Sequence, residues 1–213
     1  MPLYTTDALI LRTYKLGESD RIVVFLTRDR GKKRGVAKNA GQSRRRFGGA
    51  LEPLTYGRVG YVERERRELV RLDYVVQLRS PLSAVDGEAL GYVSYFAELI
   101  DEWAPEANPN EMLFRLGASM VEALAAGIPV EPLARYFEFW LLRLQGVYEI
   151  DARLSDEAKA FLGVARGVSP FGLGSVDVSR PVLRELEASH GALIAMHLEK
   201  ELKSVRVLRE MRR

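Results

Sequence analysis

Cysteine is missing from all 213 positions. Its absence removes disulfides and every thiolate metal site, and it fits a reducing compartment. Histidine is almost as scarce. His190 and His197 stand two helical turns apart, yet only acids such as Glu187 and Glu201 are near them in sequence. No metal and no cofactor are therefore expected. No stretch approaches the ~20 apolar residues that a membrane span requires. The opening Met1-Pro2-Leu3-Tyr4-Thr5-Thr6-Asp7 lacks the charged start and apolar run of a secretion signal. A cytoplasmic protein with no membrane partner is expected. The phosphate-cradling pattern G-x-x-x-x-G-K-[ST] does not occur, and Gly31-Lys32-Lys33 has neither its spacing nor its hydroxyl. No G-x-S-x-G surrounds Ser155, whose place before an acidic pair marks it as a helix cap. With no acid–base cluster in a recognisable frame, the chain is not expected to be an enzyme.

Net charge is also small, +3, but its distribution is uneven. Residues 1–80 carry 18 basic and 9 acidic residues, a net +9, and the remainder carries 14 and 20, a net −6. Such asymmetry suggests that the first part meets a polyanion. Hydrophobic residues make up 47% of the chain, enough for a core without staples.

The first 80 residues read as short strands. Ala8-Leu9-Ile10-Leu11 and Ile22-Val23-Val24-Phe25-Leu26 are apolar runs set off by Gly17 and by Asp29-Arg30-Gly31. Gly35-Val36-Ala37 is a candidate third strand, and Leu51 to Val62 a fourth, with Gly57 and Gly60 where a barrel strand bends. In Glu68 to Leu78 the row Val70, Leu72, Tyr74, Val76 is the better core face, and Glu63 to Arg67 is a solvated hairpin tip. About five strands without a long helix fit a small OB-type barrel. After Ser80-Pro81 the period becomes helical. Leu90, Val93, Phe96, Ala97, Leu99, Ile100 and Trp103 form one stripe. Asn108 is the expected N-cap of the next helix, which runs to Gly127, and Pro132 to Gln145 follows, with Gly146 as its stop. Helices are expected at Leu154 to Leu162, Pro181 to Ala188 and Gly191 to Met211, with Val168 to Val178 as loop. The predicted fold is thus α+β, with an OB barrel over residues 1–80 and an all-α domain over 81–213.

One constellation stands out. Between Arg28 and Gly49 there are nine basic residues and one acid: Arg28, Arg30, Lys32, Lys33, Arg34, Lys38, Arg44, Arg45 and Arg46, followed by Phe47. A line of phosphates is neutralised by such residues with release of counterions. Glycines allow close backbone approach, and Phe47 or Tyr56 offers a plane for bases. A merely solvated, mobile loop is the competing reading. Near the end, Lys200, Lys203, Arg206 and Arg209, with Arg212 and Arg213 beyond, make a winding basic stripe. It suits an acidic peptide, or simply compensates a helix dipole. The aromatic stripes Tyr92, Tyr95, Phe96 and Phe137, Phe139, Trp140 are core material.

The segment Ala8 through Thr27, containing Gly17-Glu18-Ser19-Asp20, resembles the opening of the bacterial RecO recombination mediators. So do Gly31 to Ala40, Ser43-Arg44-Arg45-Arg46-Phe47 and Leu51-Glu52-Pro53-Leu54. A looser likeness runs through Phe137 to Gly146 and Leu202 to Leu208. The resemblance implies an N-terminal OB fold, a helical C-terminal domain and a role in recombinational DNA repair at the nucleoid. It further implies binding of single- and double-stranded DNA, strand annealing, and work with RecR in loading RecA onto coated strands. The partner implied for the helical domain is the acidic, apolar tail of the single-stranded-DNA-binding protein. Arg135, Arg143, Lys203, Arg206 and Arg209 are its candidate receivers. Many relatives carry a four-cysteine zinc module, which this chain lacks. RNA binding, and docking of acidic protein tails in place of nucleic acid, are the alternatives.

Overall fold

A computed structural model describes residues 2–63, 68–85 and 87–212. Five strands, β1 (Leu3–Leu16), β2 (Asp20–Thr27), β3 (Gly31–Ala37), β4 (Tyr56–Val62) and β5 (Val70–Arg79), close into a barrel of order β1-β2-β3-β5-β4. All neighbours are antiparallel except β3 and β5, which run parallel through Gly35–Ala37 and Val70–Leu72. Among the described residues six α-helices follow: α1 (Gly87–Trp103), α2 (Glu111–Ala125), α3 (Val130–Leu144), α4 (Asp156–Gly167), α5 (Arg180–Leu198) and α6 (Lys203–Met211). The class is α+β, a five-stranded OB-type barrel leading into helices.

The unbroken apolar runs of β1 and β2 have a simple cause. Side chains alternate across a strand, and here both faces are covered. Ala8, Ile10, Val23 and Phe25 point into the barrel with Val59, Tyr61 and Leu72. Leu9, Leu11, Val24 and Leu26 point outward into a second core shared with Phe96, Leu99, Ile100 and Leu113. Each such fully buried leucine contributes roughly 1.5–3 kcal/mol. Gly117 lets α2 lie on β1, since a Cβ there would stand 2.6 Å from Leu9 Cδ1 and 2.8 Å from Ile100 Cδ1.

Two register shifts bend β4 against β5, at Tyr56/Gly57 and Gly60/Tyr61, so both glycines sit where the strand turns. Tyr74 lies over Gly60, leaving no room for a Cβ. The second shift skips Asp73 and reverses the alternation of β5. Val70 and Leu72 are buried as expected, but beyond Asp73 the buried residue is Val75, and Val76 is 54% exposed. The single core row expected from Val70 to Val76 is therefore wrong in its second half.

Several helix limits also differ from expectation. The N-cap of α2 is Asn110, accepting from the Leu113 N–H, and not Asn108. Gly191 does not interrupt α5, because it is exposed and one glycine costs a helix only about 1 kcal/mol. The break comes at Glu199, in the left-handed conformation (φ 52°). Residues 168–178 include a 3₁₀ turn, Pro170–Ser175. Ser155 does cap α4, through the Ala158 N–H. Residues 64–67 of the hairpin tip expected at Glu63 to Arg67, and the terminal Arg213, lie outside the described residues.

Candidate nucleic-acid interface

The basic run divides in two. Its first part lies on and beside β3, whose neighbours from the helical half are carboxylates. Lys32, only 10% exposed, donates to the Asp101 carbonyl at 2.6 Å and stands 3.2 Å from its carboxylate, which also takes Arg12. Arg34 lies 3.0 Å from Glu106, and Arg28 3.9 Å from Glu111. Lys33 is paired with Glu63 at 2.7 Å. Arg30 sits 3.8 Å from Asp29, with its guanidinium over the Tyr4 ring at 4.1 Å. Lys32 is thus a largely enclosed structural cation, which corrects its expected place on an open surface.

The second part is different. Residues 38–55 fold across the end of the barrel as a chain of turns. Asn39, at φ 54°, donates from its backbone to Asp20 at 2.8 Å, and Gly41 donates to the Ser19 carbonyl. Phe47 and Ala50 plug the barrel interior. Phe47 is 1% exposed, so it cannot stack on a base. Its role is to anchor the loop, and Arg46 covers its ring at 5.0 Å. Arg46 also donates to the Lys38 carbonyl at 2.6 Å and to Ser43 Oγ at 3.0 Å, which ties the first half of the loop together. Lys38, Arg44 and Arg45 are left exposed, and among the described residues no carboxylate lies within ion-pair distance of them.

Between this loop and the β1–β2 turn runs a groove of ≈ 570 Å³, walled by Arg12, Tyr14, Lys15, Arg21, Gly41 and Leu51, with Glu52 the one acid. Sequence reasoning missed Lys15 and Arg21. Single cations in a strand give no run to notice; the signal was their position astride the Gly17 turn, against which the basic loop folds. Tyr14 is 43% exposed where Phe47 is buried, and the Arg12 guanidinium lies over its ring at 5.3 Å. Tyr56 is also committed, packed edge-on to Phe114 and bonded to Asp7 at 3.2 Å.

A second site lies in the helical half. A cleft of ≈ 690 Å³ between α1, α3, α5 and α6 is lined by Tyr92, Tyr95, Arg135, Ile194, Leu208 and Arg209. Arg135 is 2% exposed and pairs with Glu138 at 3.0 Å. Glu138 in turn accepts from Tyr95 at 2.8 Å and faces His190 Nδ1 at 3.1 Å. Burial opposes the Arg135 charge most strongly, but Glu138, Tyr95, Glu187 and Tyr92 together outweigh it and hold the guanidinium more firmly protonated than usual. Burial, reinforced by Glu138, drives the Tyr95 hydroxyl well above the ordinary range, and burial takes that of Tyr92 to about 12. Arg135 Nη1 has no hydrogen-bond partner and lies 4.0 Å from Glu187.

The five residues expected to receive a tail do not converge. Arg135 and Arg209 line the cleft, whereas Arg143 lies over Phe139 and Trp140, and neither it nor Lys203 or Arg206 lines the cleft. Lys200 precedes α6, so the basic stripe is not one helix face. His190 is buried and His197 exposed, and no group of three or more metal-ligating side chains occurs among the described residues. No helix of the structure is long and apolar enough to cross a membrane.

Barrel, basic groove and helical half define an α+β two-part protein with a surface suited to polyanions. Family comparison makes this specific. The model described as "Recombination protein O N terminal" matches residues 1–81, and "Recombination protein O C terminal" matches 84–148. The "DNA repair protein RecO" of Geobacter metallireducens is 33% identical over 240 aligned positions, covering 97% of both chains. That of Koribacter versatilis is 48% identical over 145 residues, 68% of this chain and 59% of the relative. The Anaeromyxobacter sp. (strain K) protein is 38% identical over 169 residues, 78% of this chain and 65% of the relative. The chain belongs to the RecO family of DNA repair proteins. The match spans three fifths of the Koribacter protein and nearly the whole of the Geobacter one.

Proposed function

We propose that the chain is a non-enzymatic DNA-binding recombination mediator of the cytoplasm and nucleoid. Residues 1–80 hold DNA and 81–213 hold protein partners. The observation that carries this reading is the exposed set Lys38, Arg44 and Arg45, without carboxylates, beside a groove bearing Lys15, Arg21 and Tyr14. Such a surface neutralises a phosphate backbone without reading bases. It therefore suits both single and double strands, and the bringing together of two strands. Cooperation with RecR and the loading of RecA belong to the same role.

The test is fluorescence anisotropy of a labelled oligonucleotide over a salt series. Arg44→Glu with Arg45→Glu should weaken binding about tenfold at low salt and flatten the salt slope by ~1.4 on single strands. Arg46 is left intact because it ties the loop. Unchanged affinity and slope would refute the assigned surface, and preference for RNA of the same sequence would favour an RNA-binding role.

The acidic, apolar tail of the single-stranded-DNA-binding protein fits the helical cleft on the same logic. A buried arginine whose Nη1 makes no hydrogen bond shares that lining with Ile194, Val205 and Leu208, and this supports capture of a carboxylate next to apolar side chains. Filling the cleft by Ala195→Trp should cut tail-peptide affinity at least tenfold at unchanged Tm. Arg143→Glu should leave that affinity alone.

A further inference from the structure

The open edge of β3 is already covered by the chain itself. β5 pairs with β3 only at Gly35–Ala37. Over the other half of the strand, residues 105–108 take the partner's place. Lys32 N–H donates to the Pro105 carbonyl at 3.2 Å, Ala107 N–H donates to the Lys32 carbonyl at 3.1 Å, and Lys32 and Glu106 form a parallel bridge. Asn108 passes directly over Gly31, where a Cβ would come within 2.4 Å of its backbone nitrogen. The segment then enters α2 at Glu111. Its two acids, Glu106 and Glu111, are 64% and 60% exposed and stand against Arg34 and Arg28. OB barrels take oligonucleotides across strands 2 and 3, so this acidic strap lies beside the face that such a ligand would use.

We propose that residues 105–111 are an autoinhibitory strap. The carboxylates of Glu106 and Glu111 stand in for two phosphates at Arg34 and Arg28, and single-stranded DNA reaches β3 only by displacing them. Exposed pairs of this kind contribute little to stability, so a phosphate chain already seated in the neighbouring groove can exchange with them. The barrel then has a short resting track, at the groove, and a longer engaged one that adds β3. The inference rests on the DNA-binding reading above.

The experiment compares the full chain with Glu106→Gln plus Glu111→Gln, which keeps the backbone of the strap and removes its charge. A control of equal charge change is Glu149→Gln plus Glu157→Gln, both exposed on the helical side. Labelled single-stranded dT oligonucleotide is titrated at 50 and 200 mM salt. The strap variant should bind several-fold more tightly at 50 mM, with a salt slope steeper by ~1.4, equivalent to two more phosphates on a single strand. The control should change affinity less than twofold. Equal gains in variant and control, or no gain in the variant while the wild type binds, overturn the strap and leave the groove standing. Loss of the groove's effect in the Arg44→Glu, Arg45→Glu variant overturns the groove and not the strap. If neither wild type nor strap variant binds, both readings fall.

Discussion

Residues 28–34 and 38–46 look alike in sequence, both dense in lysine and arginine, yet their surroundings differ. The first group faces Asp101, Glu106 and Glu111 from the helical half, together with Asp29 and Glu63. Among the described residues the cations of the second meet no carboxylate, and Arg46 is held by a backbone carbonyl, a serine hydroxyl and the Phe47 ring. A count of charges reports how many cations exist; only the fold reports how many remain available to a ligand. The +9 of the first 80 residues therefore overstates the field that a nucleic acid would meet.

The comparison is broken most severely by removing Asp101. Asp101→Ala leaves Lys32 enclosed without its carboxylate. Loss of one member of a buried pair costs about 3–5 kcal/mol, which for a chain of this size lowers Tm by ~10 °C, measurable by calorimetry. Next comes Gly31→Ala. The residue has φ 68°, and its Cβ would collide with Asn108; a loss of ~2 kcal/mol is expected by denaturant unfolding. On the binding side, Arg28→Gln with Arg34→Gln should cost less than a third of what Arg44→Gln with Arg45→Gln costs. Placing the same β3 changes in the Glu106→Gln, Glu111→Gln background should enlarge their effect, a coupling that a double-mutant cycle reads directly. The smallest effect concerns acid. Hydrogen bonds from Arg153 hold the partly exposed Asp151 down to about 2 from an ordinary 3.8. A depressed carboxylate stabilises the fold above its unfolded value and ceases to do so as pH falls through its folded one. Asp151→Asn should therefore erase a slight decline in Tm between pH 4 and 2.

Much of the fold was legible. Apolar runs, turn glycines and the change of period after Ser80 mark the barrel and the helices, because local pattern and tertiary burial agree there. What stayed hidden depends on single events in space. The skipped Asp73 reverses the faces of β5, and no periodicity announces it. Phe47 reads as a stacking ring because it follows three arginines, but it is the plug that fixes them. Arg135 reads as a surface cation on a helix until Glu138 and the covering α5 and α6 are seen. Lys15 and Arg21 are ordinary strand residues until the loop folds against them. Composition located the basic region, and the roles within it were set by contacts between residues far apart in the chain.

The two-sided burial of β1 and β2 bears on how the protein can be cut for study. Severed near residue 80, the barrel would carry Leu9, Leu11, Val24 and Leu26 as a bare greasy stripe facing water. Such a fragment should self-associate in solution. Attempts to isolate the barrel should then begin by recolouring that stripe with polar side chains, leaving the inward set Ala8, Ile10, Val23 and Phe25 untouched.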